Sequence, residues 1–427
     1  MEELSQPLIS KTSHLLEAFN CLKESPYYFW LTLCIKFTSF AAFSMIAICS
    51  SLYLTTVLKF TEKESGLIFA SFGIIIGFFS IIFSNLAKTI GLRWTLVIGN
   101  ISGCIGYSLV LIFENKYLQY LFISVFLMFA ISINLTNTKL AVKYYTYPKS
   151  RSIAYTLYYL VFFVAAGFSS GIVDLAFTFY DEKPELYKAL FGIGVGLYLA
   201  TLVFSLFLKE IDIQHGEESH IIRVMPAKEA LKLKSLWKFT CFVILIIITK
   251  SVYFHLSGTL PLYMTNNIEN GKHFGLIMVL HQVMLLIATP ICTYLVFYLD
   301  KYTILVVGSF VTSISPIVLY YESSYLGVVI FVLLVSIGES IYAPRLTDYT
   351  IEISPCGAEA IFLGIAATPN SLALIVTGIS GGFLSDKYCD TPENCQNIWV
   401  WIASYALFAN FLMFALRRFI EVKPNAE

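Results

Sequence analysis

The chain has 427 residues, 57% hydrophobic and only 13% charged, and its 28 Lys and Arg balance 28 Asp and Glu. A soluble domain carries about 25% charged residues, so this composition, with a mean hydropathy of +0.75, excludes an ordinary soluble enzyme. The zero net charge removes the bulk field that draws a protein to nucleic acid.

Residues 1–28 are polar and lack the apolar core and small-residue cleavage site of a signal peptide, so the first span is expected to act as an uncleaved start. Twelve apolar stretches follow, near 29–54, 65–87, 94–113, 117–138, 152–176, 187–208, 239–263, 274–298, 303–321, 325–344, 358–384 and 398–416. Each is long enough to cross a hydrocarbon core of about 30 Å as a helix. The expected fold is an all-α membrane protein of 12 transmembrane helices, in two pseudo-symmetric six-helix bundles over 29–208 and 239–416. Tails at 1–28 and 417–427 flank them, and the longest polar stretch, 209–238, joins them. Within that linker Pro226–Lys238 reads either as a solvated segment or as an amphipathic surface helix.

Eighteen Lys and Arg fall in the tails and even-numbered loops and seven in the odd-numbered loops, while Lys36, Lys139 and Lys250 lie within spans. The excess of basic residues marks the cytosolic side, which places both termini and the central linker in the cytosol. Nine cysteines fit this orientation, most of them in or beside spans as small apolar residues. Cys389 and Cys395 share the loop between spans 11 and 12, on the non-cytosolic side where a disulfide persists, and are the candidate pair.

The halves repeat. Gly66-Leu67-Ile68 opens the second span and Gly275-Leu276-Ile277 the eighth, Gly99 matches Gly308, and Leu96-Val97 matches Leu305-Val306, all at one offset of 209. Gly167, Ser169 and Gly171 recur as Gly378, Ser380 and Gly382. In a soluble protein Gly-x-Ser-x-Gly suggests a hydrolase elbow between strand and helix. Inside apolar helices it reads as a small-residue packing face. A parallel duplication of six-span halves is expected to place a site near the bilayer midplane, between the halves.

The six-plus-six layout with its polar linker resembles the major facilitator superfamily, and so does the loop Leu86-Ala87-Lys88-Thr89-Ile90-Gly91-Leu92-Arg93, which keeps Leu86, Ala87, Gly91 and Arg93 of that family's signature with Lys88 at its acidic position. Asp300-Lys301 is a remnant of the same loop in the second half. The run Gly338-Glu339-Ser340-Ile341-Tyr342-Ala343-Pro344-Arg345 is similar to a protist-type branch of the superfamily. More distantly it is similar to the proton-coupled oligopeptide transporters, which place a Glu in span 10 and Ala-Pro soon after. Their acidic-acidic-Arg signature in span 1 is missing, where this chain offers Lys36.

An ionisable residue inside a span is costly and marks a functional candidate. Glu339, with Gly338 beside it leaving room for a partner or solute, is the expected coupling carboxylate. Lys250 is its natural cationic partner or an anchor for an anionic group. Lys36 either faces the cavity or snorkels to the interface. His281, Gln282 and Asn370 complete the substrate and coupling candidates, and Pro261 is expected to bend the outer part of span 7. Tyr158 and Tyr159 read as ordinary interior aromatics, and Asn134, Asn137 and Lys139 as lining the inner part of span 4. Arg345 and Asp348, leaving span 10, join Arg151, Glu359, Lys139 and Arg93 as candidates for a cytosolic charge gate.

The six His are scattered without metal-ligand spacing, and no phosphate loop or cofactor fingerprint occurs, so neither metal nor cofactor is expected. The expected function is a secondary active transporter that moves a small polar or zwitterionic solute by alternating access with proton coupling. An uncoupled facilitator and a non-transporting sensor or partner-binding protein are the alternatives. The expected partners are the solute and the lipid bilayer, with a functional monomer in either the plasma or an endolysosomal or vacuolar membrane.

Overall fold

The computed structural model describes residues 20–83, 86–147, 150–180, 184–210, 225, 227–268, 271, 273–296, 299–355 and 357–422. Among the described residues twelve helices are long and apolar enough to cross a membrane: α1 Tyr27–Val57, α2 Glu62–Phe83, α3 Leu92–Ile112, α4 Lys116–Tyr144, α5 Arg151–Tyr180, α6 Pro184–Leu206, α7 Lys234–Gly258, α8 Phe274–Leu295, α9 Lys301–Tyr321, α10 Tyr325–Ile353, α11 Ile361–Tyr388 and α12 Asn397–Ala415. No strand occurs among the described residues. Lipid offers no hydrogen bonds to an exposed backbone, so a spanning chain of this composition satisfies its peptide groups within helices. Their hydroxyls follow the same rule, as in Thr32 donating to Tyr28 O at 2.8 Å and Thr350 to Leu346 O at 2.6 Å.

Local chemistry sets the helix ends. Asn115 accepts from Tyr117 N and Leu118 N at the start of α4, and Asp300 accepts from Thr303 N at 2.9 Å at the start of α9. A helical α7 stops at Gly258 and resumes over Leu260–Asn267 with Pro261 in the first turn, so the bend falls at Thr259. The tenth apolar stretch ends at 344, just before Arg345 and Asp348. The helix instead runs on to Ile353. Tyr342, Leu346, Tyr349 and Ile353 form one buried stripe through the proline, and burying it outweighs the one lost bond. In the linker, Ala227–Ala230 forms a single helical turn ahead of α7, and 211–224 and 226 lie outside the described residues.

The chain divides into two compact units. The first holds Met1–Ser44, Phe78–Ser169 and Lys188–Glu217, and the second Met45–Gly77, Ser170–Tyr187 and Glu218–Glu427. The second unit therefore includes one end each of α1, α2 and α5, with the start of α6. Glycine explains the membership of α2. A Cβ built on Gly66 would lie 2.5 Å from Gly382 Cα, and one on Gly73 would lie 2.5 Å from Ser371 O, so only hydrogen lets α2 lie on α11. Gly275 does the same for α8 on α5, where a Cβ would meet Ser170 O and Asp174 N at 2.6 Å. Ser380 of the second Gly-x-Ser-x-Gly donates to Val376 O at 2.6 Å within its own helix.

Each unit has its own apolar core. In the first, Phe29, Leu96, Ile133, Ala141 and Tyr158 pack together. In the second, Phe239, Phe242, Tyr302, Tyr349 and Phe362 do so, and Val422 ties in the final described residues by donating its N–H to the Tyr349 hydroxyl at 2.9 Å. Cys389 and Cys395 are joined as a disulfide in the loop before α12.

Candidate functional site

Three helices of the second unit bring four of the sequence candidates together. Lys250 of α7 and Glu339 of α10 form an ion pair, with 8% and 6% of each residue exposed. Taking two charges out of water costs several kcal/mol per ion unless each finds good partners, so the pair must be supported by its surroundings. Tyr253, one turn beyond Lys250 on the same face, places its ring 4.3 Å from the ammonium. Tyr342, one turn beyond Glu339, places its ring 6.0 Å from the same ammonium.

His281 and Gln282 of α8 enter the cluster side by side. His281 Nδ1 lies 2.8 Å from Ser336 Oγ, one turn before Glu339, and its ring is 5.3 Å from that of Tyr253. The Gln282 side chain lies beside the Tyr253 hydroxyl. Four buried polar atoms of the cluster nevertheless have no hydrogen-bond partner among the described residues: Glu339 Oε2, His281 Nε2, Gln282 Oε1 and the Tyr342 hydroxyl. Each such atom costs about 1–3 kcal/mol if nothing occupies it. A group with donors to offer, from a solute or water, relieves that cost. Gly338 does not leave the space beside Glu339 that the sequence suggests. A Cβ there would fall 2.7 Å from Thr312 N and 2.8 Å from Gly308 O, so this glycine lets α10 lie against α9.

Lys36 is elsewhere, in the first unit. It is 2% exposed, and its Nζ lies 4.7 Å from the ring of Phe40, 4.9 Å from Tyr158 and 5.1 Å from Phe162. It neither snorkels nor forms an ion pair among the described residues. Tyr158 was legible only as an interior aromatic. Its hydroxyl is 3.0 Å from Thr138 Oγ1, which fixes the ring beneath the ammonium. Asn370 stays apart from both groups, exposed on α11 one residue after Pro369.

Of the expected gate residues, Arg345 is buried inside α10, donating to Asp348 Oδ2 at 2.7 Å and across to Thr293 O of α8 at 2.8 Å. Both residues lie within the helix instead of beyond its end, because α10 continues through Pro344. Arg93 begins α3, where its backbone N–H donates to Glu210 Oε1 at 3.3 Å. Arg151 opens α5, Lys139 is exposed on α4, and the Glu359 side chain lies outside the described residues. Asn134 is engaged inside the first unit, donating to Asn100 Oδ1 at 2.8 Å.

Two groupings escaped the sequence reading. His255, fully buried at the end of α7, has Nδ1 2.7 Å from Thr259 Oγ1 and Nε2 2.8 Å from the hydroxyl of Tyr405, which lies 3.1 Å from Ser251 Oγ. These bonds bridge the break at Thr259. A lone Tyr in an apolar helix gives no signal in sequence. Asp174, at the edge of the fifth span, accepts from Leu276 N at 3.1 Å and so caps α8 from another helix. An acid beside a span was the available signal for it.

Residues 32–271 match the family model described as Major Facilitator Superfamily. Among solved structures, a POT family transporter in complex with 5-aminolevulinic acid superposes with a TM-score of 0.77 at 13% identity, covering 93% of this chain and 97% of that one. The auto inhibited POT family peptide transporter gives 0.75 at 12%, over 94% and 99%. The nucleoside transporter NupG gives 0.73 at 16%, over 92% and 100%. At these identities the likeness is one of fold. No curated protein sequence matches at a significant level.

Proposed function

This chain belongs to the major facilitator superfamily and is a multi-pass membrane transporter, a carrier and not an enzyme, and on that premise we propose that it is a proton-coupled secondary transporter of a small polar or zwitterionic solute. The observation that carries this reading is the buried Lys250–Glu339 pair with an unpartnered Glu339 Oε2 beside it. A proton arriving on Glu339 removes the negative charge that holds Lys250. The freed ammonium then turns to another acceptor, and the loss of the proton restores the pair. Binding and release of a solute that competes for either partner are thereby linked to the proton. Gln282 Oε1 and His281 Nε2 supply further polar contacts for the donors of such a solute.

The two six-helix halves, 29–208 and 239–416, alternate in exposing the solute to each side, with both termini in the cytosol as the distribution of Lys and Arg supports. The Arg345–Asp348 bond belongs to the cytosolic gate, together with Arg151, Glu359, Lys139 and Arg93. The carrier works as a monomer in the bilayer.

The test is uptake of a pooled metabolite mixture into proteoliposomes, with and without an inward proton gradient. A solute that accumulates only with the gradient supports the reading, and Glu339→Gln should then abolish accumulation while leaving exchange measurable. Equal flux in both conditions favours an uncoupled facilitator, in which the pair is a fixed structural bridge. No flux for any solute from folded protein sinks the transport mechanism as proposed here.

A further inference from the structure

Lys36 differs from Lys250 in one respect that bears on what this protein carries. Lys250 has a carboxylate; Lys36 has none among the described residues. Among the described residues no acidic side chain lies within ion-pair distance of it and no acceptor takes a hydrogen bond from its ammonium. Three rings stand around the Nζ within 4.7–5.1 Å. Ring faces attract a cation, so they stabilise the head group of Lys36 without occupying its three N–H donors. The ring enclosure is itself held. Phe40 and Phe162 pack at 4.1 Å between centroids, and Tyr158 is anchored on Thr138.

A lysine whose only purpose was packing would be replaced here at a gain, since burying an unpaired ammonium is among the costliest placements available to a side chain. We propose that Lys36, within its cage of Phe40, Tyr158 and Phe162, is a docking site for the carboxylate of the transported solute, and that this solute carries an apolar or aromatic group next to that carboxylate. The carboxylate supplies the missing acceptor and counter-charge together. The rings meet the carbon body beside it, with Phe37 and Phe168, 5.4 Å apart, extending the aromatic surface along α1 and α5. This inference rests on the reading of the chain as a solute carrier, but it does not depend on proton coupling at Glu339.

The experiment is thermal unfolding of the full chain in phosphatidylcholine nanodiscs with paired probes of matched shape: acetate and acetamide, benzoate and benzamide, phenylacetate and phenylacetamide. A carboxylate present at about tenfold its Kd should raise Tm by about 2–4 °C, with the aromatic acids exceeding acetate and the amides giving no shift. Lys36→Met and Lys36→Gln should each remove the preference for carboxylate. The first keeps the apolar volume and the second a polar head, so at least one is expected to fold. Equal response to acid and amide in the natural protein, or a preference that survives both Lys36 substitutions, overturns the proposal. Gradient-independent flux with an intact carboxylate shift would instead remove the coupling mechanism and leave this site standing.

Discussion

Asn100 of α3 donates its side-chain amide to Ser205 Oγ of α6 at 2.7 Å, and Asn410 of α12 donates to Ser309 Oγ of α9 at the same distance. Ser309 stands 209 residues after Asn100, so the third and sixth helices of each half are joined by one Asn–Ser bond with the donor and acceptor exchanged. The repeat therefore extends from glycine spacing to side-chain chemistry. Asn100 also accepts from Asn134, which makes it the centre of a three-residue network spanning α3, α4 and α6. Asn100→Ala removes both bonds in a fully buried setting, leaving Asn134 on Ala130 O and Ser205 on Thr201 O, and should cost about 1–3 kcal/mol. Ser205→Ala strands one group and should cost less. Thermal unfolding of the two single variants and the double variant checks this. Strict additivity would mean that the bond contributes nothing.

The glycine seam between α2 and α11 gives a second prediction. Gly66 and Gly378 approach so closely that an added Cβ on either meets backbone, leaving nothing that can move aside cheaply. Gly66→Val or Gly378→Val should force this end of α2 away from α11 at a cost of about 1–3 kcal/mol. Ser65 is 1% exposed beside the seam. In a background without other cysteines, a Ser65→Cys probe should label about tenfold faster once either valine is present, since 1.4 kcal/mol is a tenfold change in an equilibrium. Unchanged labelling would show that the seam yields elsewhere.

Twelve spans and the duplication were legible because apolar length and glycine spacing are local signals, and both survive in the structure. The pairing of Gly66 with Gly378 and Gly382, and of Gly275 with Ser170 and Asp174, joins the second helix to the eleventh and the eighth to the fifth. Those partners cannot be read from spacing alone. The Lys250–Glu339 pair was legible for a different reason: so few charges lie inside spans that an opposite pair is conspicuous. Lys36 was visible as a charge, but its three rings were not, because Phe and Tyr are abundant throughout an apolar chain. The extension of α10 beyond Pro344 was hidden because Arg345, Asp348 and Glu352 end the uncharged run, while burial of Tyr349 and Ile353 carries the helix on.

Asp300 supplies a pH prediction outside the membrane. Partial burial raises its carboxyl pKa, but hydrogen bonds from the Thr303 hydroxyl and N–H, with the Arg417 guanidinium at 2.8 Å, outweigh that and hold it below the ordinary 3.8. A depressed carboxyl contributes stability that is full above the unfolded value and is lost as pH falls through the folded one. The side chain is half exposed, so the contribution should stay below about 1 kcal/mol. Asp300→Asn should thus lower Tm slightly at pH 7, and the difference should vanish well below pH 3.8. A difference that persists in acid would assign the effect to the helix cap instead of the charge.

The Cys389–Cys395 bond closes a loop of only a few residues, with a sequence separation of 6. Loop-closure entropy for so short a ring predicts a stabilisation of about 2 kcal/mol. Cys389→Ser should lower Tm accordingly, and a reducing agent should lower the natural protein's Tm to the same level without changing the variant's.

Lys250 and Glu339 separate the cost of burying charge from the value of pairing it. Removing one partner leaves the other buried and unpaired, so Lys250→Met and Glu339→Met should each destabilise by about 3–5 kcal/mol. Removing both replaces two desolvated ions by apolar side chains of similar volume, and the double variant should recover most of that loss. Transport should not recover with it, because the exchange of partners that links proton to solute needs both charges. Unfolding and uptake measured on the same three variants therefore decide what the pair is for. Stability and transport rescued together in the double variant would make it a bridge between helices α7 and α10, whereas stability rescued without transport is the result expected of a coupling pair.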